Sequence, residues 1–521
     1  MAVGSVITLI MGVIARQSIK GTLATYAGVV IGFISTFFVV TRYLTTEEVG
    51  LTRVMVDATM LFASLSLLAN NSTMQRFFPY FRSSRLAHHG VFGLSVLVPL
   101  VGFVLFLALF LIFKGTLMTV YGQRSALLTD YFYVLPMMTF FVLYMLVFET
   151  NSILLMRLSV PKTVREVGVK LMNLVSYLLY GYGVVSLDVF VWLFCGSYAV
   201  AMVLNVVYVM AIGSKDVEGG VAAMFKVDWA FLRDGALWRE MLRFSLFMLA
   251  GMLATNMPLF GSLFLGAKVG LATTGVYTIA FYIANVVDVP YRSLGAIAQP
   301  VLSAAIKEGD WDEAKRMAKQ VSVHQFLAST MVLYLIWINL DTLFAVIPNG
   351  GDYVGGMSVV LILGLSRVIC STSNVSADLL NYSRYYSRML FFSLFLTIMA
   401  LVMNNKLIGL WGMNGAAAAT LITYAMYYAL LLTEVWVKLK VFPYSMRHLK
   451  VAVILAALVV LNLLWARVVA PLFGTEVVGL VADSVVKTVV LALAALAAVY
   501  GWKVSPSIND IVDRVLKRRK A

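Results

Sequence analysis

Acidic side chains are scarce in this chain: 25 Asp and Glu stand against 40 Lys and Arg in 521 residues, and charged residues make up only 12%. Soluble globular proteins carry charge on roughly a quarter of their residues, so that class is excluded. Cysteine is almost missing. Cys195 and Cys370 both fall in apolar runs, which argues against a disulfide framework and reads them as small core residues. No catalytic signature is found, and no phosphate loop: Gly261 to Lys268 has only the glycine spacing, with Ala267 interrupting the required Gly-Lys. His88, His89, His324 and His448 lack metal-ligand spacing, and the His88–His89 pair reads as solvated in a basic loop. The expectation is a non-enzyme without a metal or organic cofactor.

What the chain has is apolar length. Hydrophobic residues reach 61% and the mean hydropathy is +0.91. A bilayer core of about 30 Å takes roughly 20 helical residues per crossing. Runs of that kind fall at 21–42, 50–72, 91–113, 130–155, 168–186, 188–212, 243–266, 273–304, 321–347, 356–380, 389–404, 409–437, 450–469 and 478–502. These are spans one to fourteen of an all-α, polytopic membrane protein. The even count places both termini on one side. Residues 1–14 carry no basic residue ahead of their apolar stretch and read as an interfacial lead-in to span one, not a cleavable signal.

Basic residues collect in alternate gaps. With the N-terminus inside, 30 of the 40 Lys and Arg fall on the inner side and seven on the outer, while Arg292, Arg367 and Lys487 lie within spans. That asymmetry is the positive-inside pattern, and it accounts for the formal +15 without a nucleic-acid partner. The expected location is a membrane crossed many times, with cytoplasmic termini.

A weak internal repeat organises the spans. Gly50 matches Gly275 at an offset of 225, Gln75 matches Gln299 at 224, and Thr150-Asn151 matches Ser373-Asn374 at 223. Six crossings separate the copies, so the repeats are parallel, related by an axis along the membrane normal. The expected domains are 1–212, an N-terminal lobe of spans one to six; 213–240, an inner interfacial linker carrying Phe225, Trp229, Leu232 and Trp238; 241–437, a C-terminal lobe of spans seven to twelve; and 438–521, spans thirteen and fourteen with a basic amphipathic tail. In the 305–320 loop, Asp310 and Glu313 have capping spacing for a short helix.

A charged residue at mid-bilayer costs at least about 2.5 kcal/mol, so one that persists there has a partner or water. Arg367 lies deepest, halfway down span ten; Arg292 is in the inner half of span eight, Arg76 at the inner mouth of span two and Arg53 near its outer end. The blander readings are snorkelling for Arg53, an anchoring role for Arg76, and an i,i+4 pair of Arg292 with Asp288. Asp57, Glu149 and Asp288 are the candidates for ion coupling, with Asp378 nearer the inner interface; Asp483 and Lys487 look like a structural pair. The coupling ion would be H+ or Na+.

The segments Arg16-Gln17-Ser18-Ile19-Lys20-Gly21, Thr25-Tyr26-Ala27-Gly28 and Tyr43-Leu44-Thr45-Thr46-Glu47-Glu48-Val49-Gly50 stand in the first lobe. The second has Phe244-Ser245, Gly251, Thr274-Gly275-Val276-Tyr277, Asp288-Val289-Pro290 and Lys307-Glu308-Gly309-Asp310. Together they resemble the polysaccharide-transporter branch of the multidrug/oligosaccharidyl-lipid/polysaccharide exporter superfamily, which includes repeat-unit flippases and, more distantly, lipid II flippases. The resemblance implies alternating access and carriage of a polyprenyl-pyrophosphate-linked oligosaccharide from the inner to the outer leaflet, beside other glycan-assembly proteins. Arg367, Arg292, Arg76 and Arg53 would then form a cationic ladder for the pyrophosphate. One departure is that no basic residue lies inside span one between Lys20 and Arg42, where lipid II flippases carry an arginine. An ion-coupled multidrug exporter of the same superfamily is the alternative, favouring acidic over basic cavity residues; a glycan ligase or polymerase would need a larger outer loop than 114–129. The Ala-rich stretch 491–498 suggests either a groove for a polyprenyl tail, with Ala494 and Ala498 in it, or only close packing that stabilises the fold.

Overall fold

A computed structural model describes residues 20–513 except 22, 84–85, 218, 234–236, 475, 506–508 and 511–512. The lead-in at 1–14 and most of the amphipathic tail lie outside these residues. Among those described there are helices and no strands, and eleven helices are long and apolar enough to cross a membrane. The chain is an all-α polytopic membrane protein. Tyr386–Leu439 has the length of spans eleven and twelve together, joined at Gly412, whose φ of 54° and ψ of −128° leave the helical region. Span five appears as Val169–Gly181, entered through a π-helical turn at Val164–Gly168. Two compact units are formed, Met1–Gly275 and Val276–Ala521.

Spans seven and eight are among those the structure breaks. Span seven, read as continuous over 243–266, is split into Leu237–Thr255 and Met257–Lys268 around Asn256, with Pro258 starting the second piece. Span eight, read as continuous over 273–304, stops at Asn285; a 3-10 turn, Val286–Asp288, leads into Val289–Glu308. Pro290 causes this break, because its ring removes an N–H and clashes with the preceding turn, and it is tolerated where a helix starts. The Asp310 cap is present, its carboxylate accepting the Glu313 amide at 2.9 Å, yet it opens Trp311–Ile338, which carries span nine as far as Asn339, where Leu340–Val346 follows, rather than a short loop helix.

In the first unit, Thr45 and Glu48 cap Thr46–Ser66 reciprocally: Oγ1 of Thr45 accepts the Glu48 amide at 3.3 Å and Oε2 of Glu48 accepts the Thr45 amide at 2.8 Å. The Thr45-Thr46-Glu47-Glu48 motif is thus a helix start. Leu68 and Ala69, with φ of 49° and 57°, break span two before Asn70–Phe81, and Asn70 donates across to the Ser95 carbonyl at 3.0 Å.

The reading of His88 and His89 as solvated is corrected. Residues 87–90 form a left-handed turn, with φ between 49° and 66° at all four, which costs about 1–2 kcal/mol per non-glycine residue. The linker holds it. A Cβ on Gly90 would stand 1.9 Å from the Lys226 carbonyl oxygen; His89 Nδ1 lies 3.1 Å from Asp228 Oδ2, and its ring stacks on Phe231 at 3.8 Å. Nδ1 of His88 accepts the Ser83 amide at 3.1 Å while its ring packs on Phe78 and Phe92, leaving it 2% exposed. The backbone amide of Phe231, then His89, holds the Asp228 carboxyl below its ordinary range.

In the second unit, spans nine, thirteen and fourteen share a core around Tyr334, Val451, Ile454, Leu458, Leu491 and Ala495. Asp483 and Lys487 pair at 3.2 Å, with the Trp465 indole N–H donating to the same carboxylate at 2.7 Å. Ala494 and Ala498 do not line a groove; theirs is the packing role. A cavity of about 170 Å³ runs between spans nine and fourteen, lined by Leu327, Met331, Tyr334, Leu491, Ala492 and Ala495 among others; Ala494 and Ala498 instead pack against the core.

Candidate functional site

Of the acidic residues weighed in the sequence for ion coupling, Asp57, Glu149 and Asp288 each face an arginine, while Asp378 faces Gln299. In the first unit, Arg53 and Asp57 lie one turn apart on Thr46–Ser66, so their side chains share a helix face. Nε of Arg53 is 2.6 Å from Oδ2 of Asp57, both side chains are under a tenth exposed, and Ser262 of Met257–Lys268 donates its hydroxyl to the same carboxylate. Glu149 pairs with Arg165 at 2.8 Å, and Arg165, Glu166 and Lys170 continue the chain of charges along span five. Lys170 also donates to the Gly28 carbonyl at 3.0 Å. Arg76 is exposed, with its guanidinium 4.4 Å from the centroid of Phe244.

In the second unit the pair is Asp288 with Arg367. The break in span eight puts Asp288 at the N-cap of Val289–Glu308, but its side chain does not cap the helix; Oδ2 lies 3.3 Å from Nη1 of Arg367 instead. Arg367, midway along Met357–Tyr382, is 8% exposed, sits 5.6 Å from the centroid of the Phe281 ring, and its Nε is buried with no hydrogen-bond partner among the described residues. Arg292 is exposed. Asp288 is therefore matched by the arginine two spans away.

Of the residues that extend this pair, Tyr291 and Tyr428 were missed in the sequence. Asn374, two turns beyond Arg367 on the same helix, donates to the Tyr291 hydroxyl and accepts from Tyr428 at 3.2 Å; a turn further, Asp378 accepts from Gln299 at 3.3 and 3.4 Å. The signal was present as polar residues at 367, 371, 374 and 378 on one helix and 288, 291 and 299 on the other, each set on one face. A buried carboxylate–guanidinium pair has two competitors. An anion takes the arginine from the acid, and a proton or small cation takes the acid from the arginine.

No family model and no curated protein matches the chain. Solved structures do. The lipid II flippase MurJ, in an inward closed conformation, is similar with a TM-score of 0.69 at 10% identity, covering 94% of this chain and 100% of that one. An inward-facing multidrug resistance MATE family transporter of the MOP superfamily gives 0.57 at 17% identity, covering 78% and 93%. The MATE multidrug transporter DinF-BH gives 0.52 at 14% identity, covering 82% and 95%. The chain has the fold these proteins share.

Proposed function

We propose that this protein is a membrane transporter working by alternating access, and that it carries a polyprenyl-pyrophosphate-linked oligosaccharide from the inner to the outer leaflet of a bacterial cytoplasmic membrane. The observation that carries the reading is Arg367: buried, held by one carboxylate, with its Nε still without a hydrogen-bond partner among the described residues. A pyrophosphate would complete that guanidinium with charge-assisted bonds. Arg292, Arg76 and Arg53 are the further cationic positions proposed for it. Coverage supports the same choice, since about a fifth of the chain is left over by the MATE neighbours and little by the flippase.

In this reading the acids do the coupling. H+ or Na+ at Asp288 releases Arg367 to an anionic headgroup; at Asp57 it releases Arg53, and Glu149 with Arg165 is the third candidate. The groove between spans nine and fourteen would hold the isoprenoid tail. The second reading, ion-coupled export of cationic drugs, is favoured by the same buried carboxylates and by the MATE neighbours. Reconstitution into vesicles separates the two. Translocation of a lipid-linked oligosaccharide that is lost in Arg367→Ala supports the first; uptake of a cationic dye that survives Arg367→Ala but not Asp288→Asn replaces it with the second.

A further inference from the structure

The repeat that pairs Gly50 with Gly275 in sequence brings them together in space, inside the first unit. A Cβ on Gly50 would stand 1.9 Å from the carbonyl oxygen of Leu271; a Cβ on Gly275 would stand 1.9 Å from the carbonyl oxygen of Thr46 and 3.2 Å from the amide nitrogen of Gly50. Positions 46 and 271 share the offset of 225 that relates 50 and 275. The contact is therefore reciprocal, as at a two-fold axis: each copy's glycine sits on the other copy's helix start. Both glycines are buried. Neither tolerates a side chain while the two backbones cross.

The neighbouring segments close around this crossing. Ser125 donates to the Gly266 carbonyl at 2.6 Å and Tyr121 to the Leu263 carbonyl at 3.1 Å; a Cβ on Gly270, whose φ is 128°, would stand 2.8 Å from the Arg124 carbonyl oxygen. One turn below, Gly266 meets Val54, on the helix that carries Arg53 and Asp57. The charge pattern assigns all of these ends to the outer side.

We infer that the Gly50–Gly275 crossing is an outer gate, shut here and parted in the state that opens outward. This rests on the alternating-access reading above. Two glycine backbones pack closely without ordering any side chain, so the contact is tight when made and leaves nothing rearranged when broken. A permanent structural crossing would use the same packing but would never part, and this difference is measurable.

Spin labels on Glu47→Cys and Ala272→Cys, both exposed positions, in a background with Cys195 and Cys370 replaced by Ala, report the separation by pulsed EPR. The short distance is expected to dominate in the parent. In Gly50→Leu a longer one should replace it by about 5-fold or more, the size of shift that overpacking a tight contact produces. Gly115→Leu, at a glycine with open space around it, should leave the distribution unchanged. An unaltered distribution in a folded Gly50→Leu protein overturns the gate. Where Gly50→Leu does not insert, Gly50→Ala is read the same way; and a single distance in the parent under every ion gradient and substrate overturns it as well. A distance shift in a protein that translocates nothing would keep the gate and remove the transport reading.

Discussion

Arg367 and Asp288 lie 3.3 Å apart on different helices, the acid at the break in span eight and the base in the middle of span ten. Removing one member of such a buried pair typically costs about 3–5 kcal/mol, because the other charge is left uncompensated. Arg367→Ala and Asp288→Asn should each lower the melting temperature in detergent, and the double variant should lose clearly less than the sum of the two. Additive losses would show that the pair is not energetically coupled. A transport role adds a second expectation: a temperature at which Arg367→Ala is still folded and inserted but translocates at a small fraction of the parent rate.

Sidedness is tested on sites free to react. Arg316→Cys, at an exposed position after the Asp310 cap, should resist an impermeant thiol reagent added outside, while Gly351→Cys, at an exposed glycine with open space, should be labelled. The opposite pattern reverses the orientation. Ser322 would be a poor reporter, since its hydroxyl is buried between His448 and the Thr372 carbonyl.

The linker clasp has a pH signature. The Asp228 carboxyl is held below its ordinary value of 3.8, so its contribution is complete above about pH 4 and is lost as pH falls through the lower folded value. Asp228→Asn removes that dependence and the charge on His89's partner. The expected outcome is faster proteolysis after Lys226 in Asp228→Asn at neutral pH, and convergence of the two proteins under strong acid. Equal cleavage at pH 7 would show that Phe231 stacking alone holds the linker.

The groove beside span fourteen makes a size prediction. Ala492→Phe, at an exposed position on the cavity of about 170 Å³, should slow translocation of a long-tailed lipid substrate more than of a short-tailed analogue. Ala494→Phe, against the core, should instead lower stability, by about 1–3 kcal/mol for an overpacked site. Equal effects on both tail lengths would leave the groove a packing feature.

The all-α membrane class was legible because hydropathy needs only one helix at a time. What was not legible depended on two. Asp288 read as a partner for Arg292 by i,i+4 spacing, and only the Pro290 break turns it toward Arg367. His88 and His89 read as a solvated basic loop because nothing local announces that residues 226–231 will cover them. Ala494 and Ala498 were chosen for their small size, whereas the groove follows helix rotation, which composition leaves open. The repeat, by contrast, came from three residue matches, and the reciprocal contact of Gly50 and Gly275 gives it a physical form.

The two arginine–aspartate pairs also differ in when they can form. Arg53 and Asp57 share a helix, so span two can enter the bilayer during synthesis with its charges already neutralised. The ion pair of Asp288 joins two helices, because Arg367 is made two spans later. Until span ten arrives, the only basic group span eight itself offers Asp288 is Arg292, four residues on and exposed in the folded protein. The order in which this chain becomes a membrane protein is written into which of its charges can find a partner on the same helix.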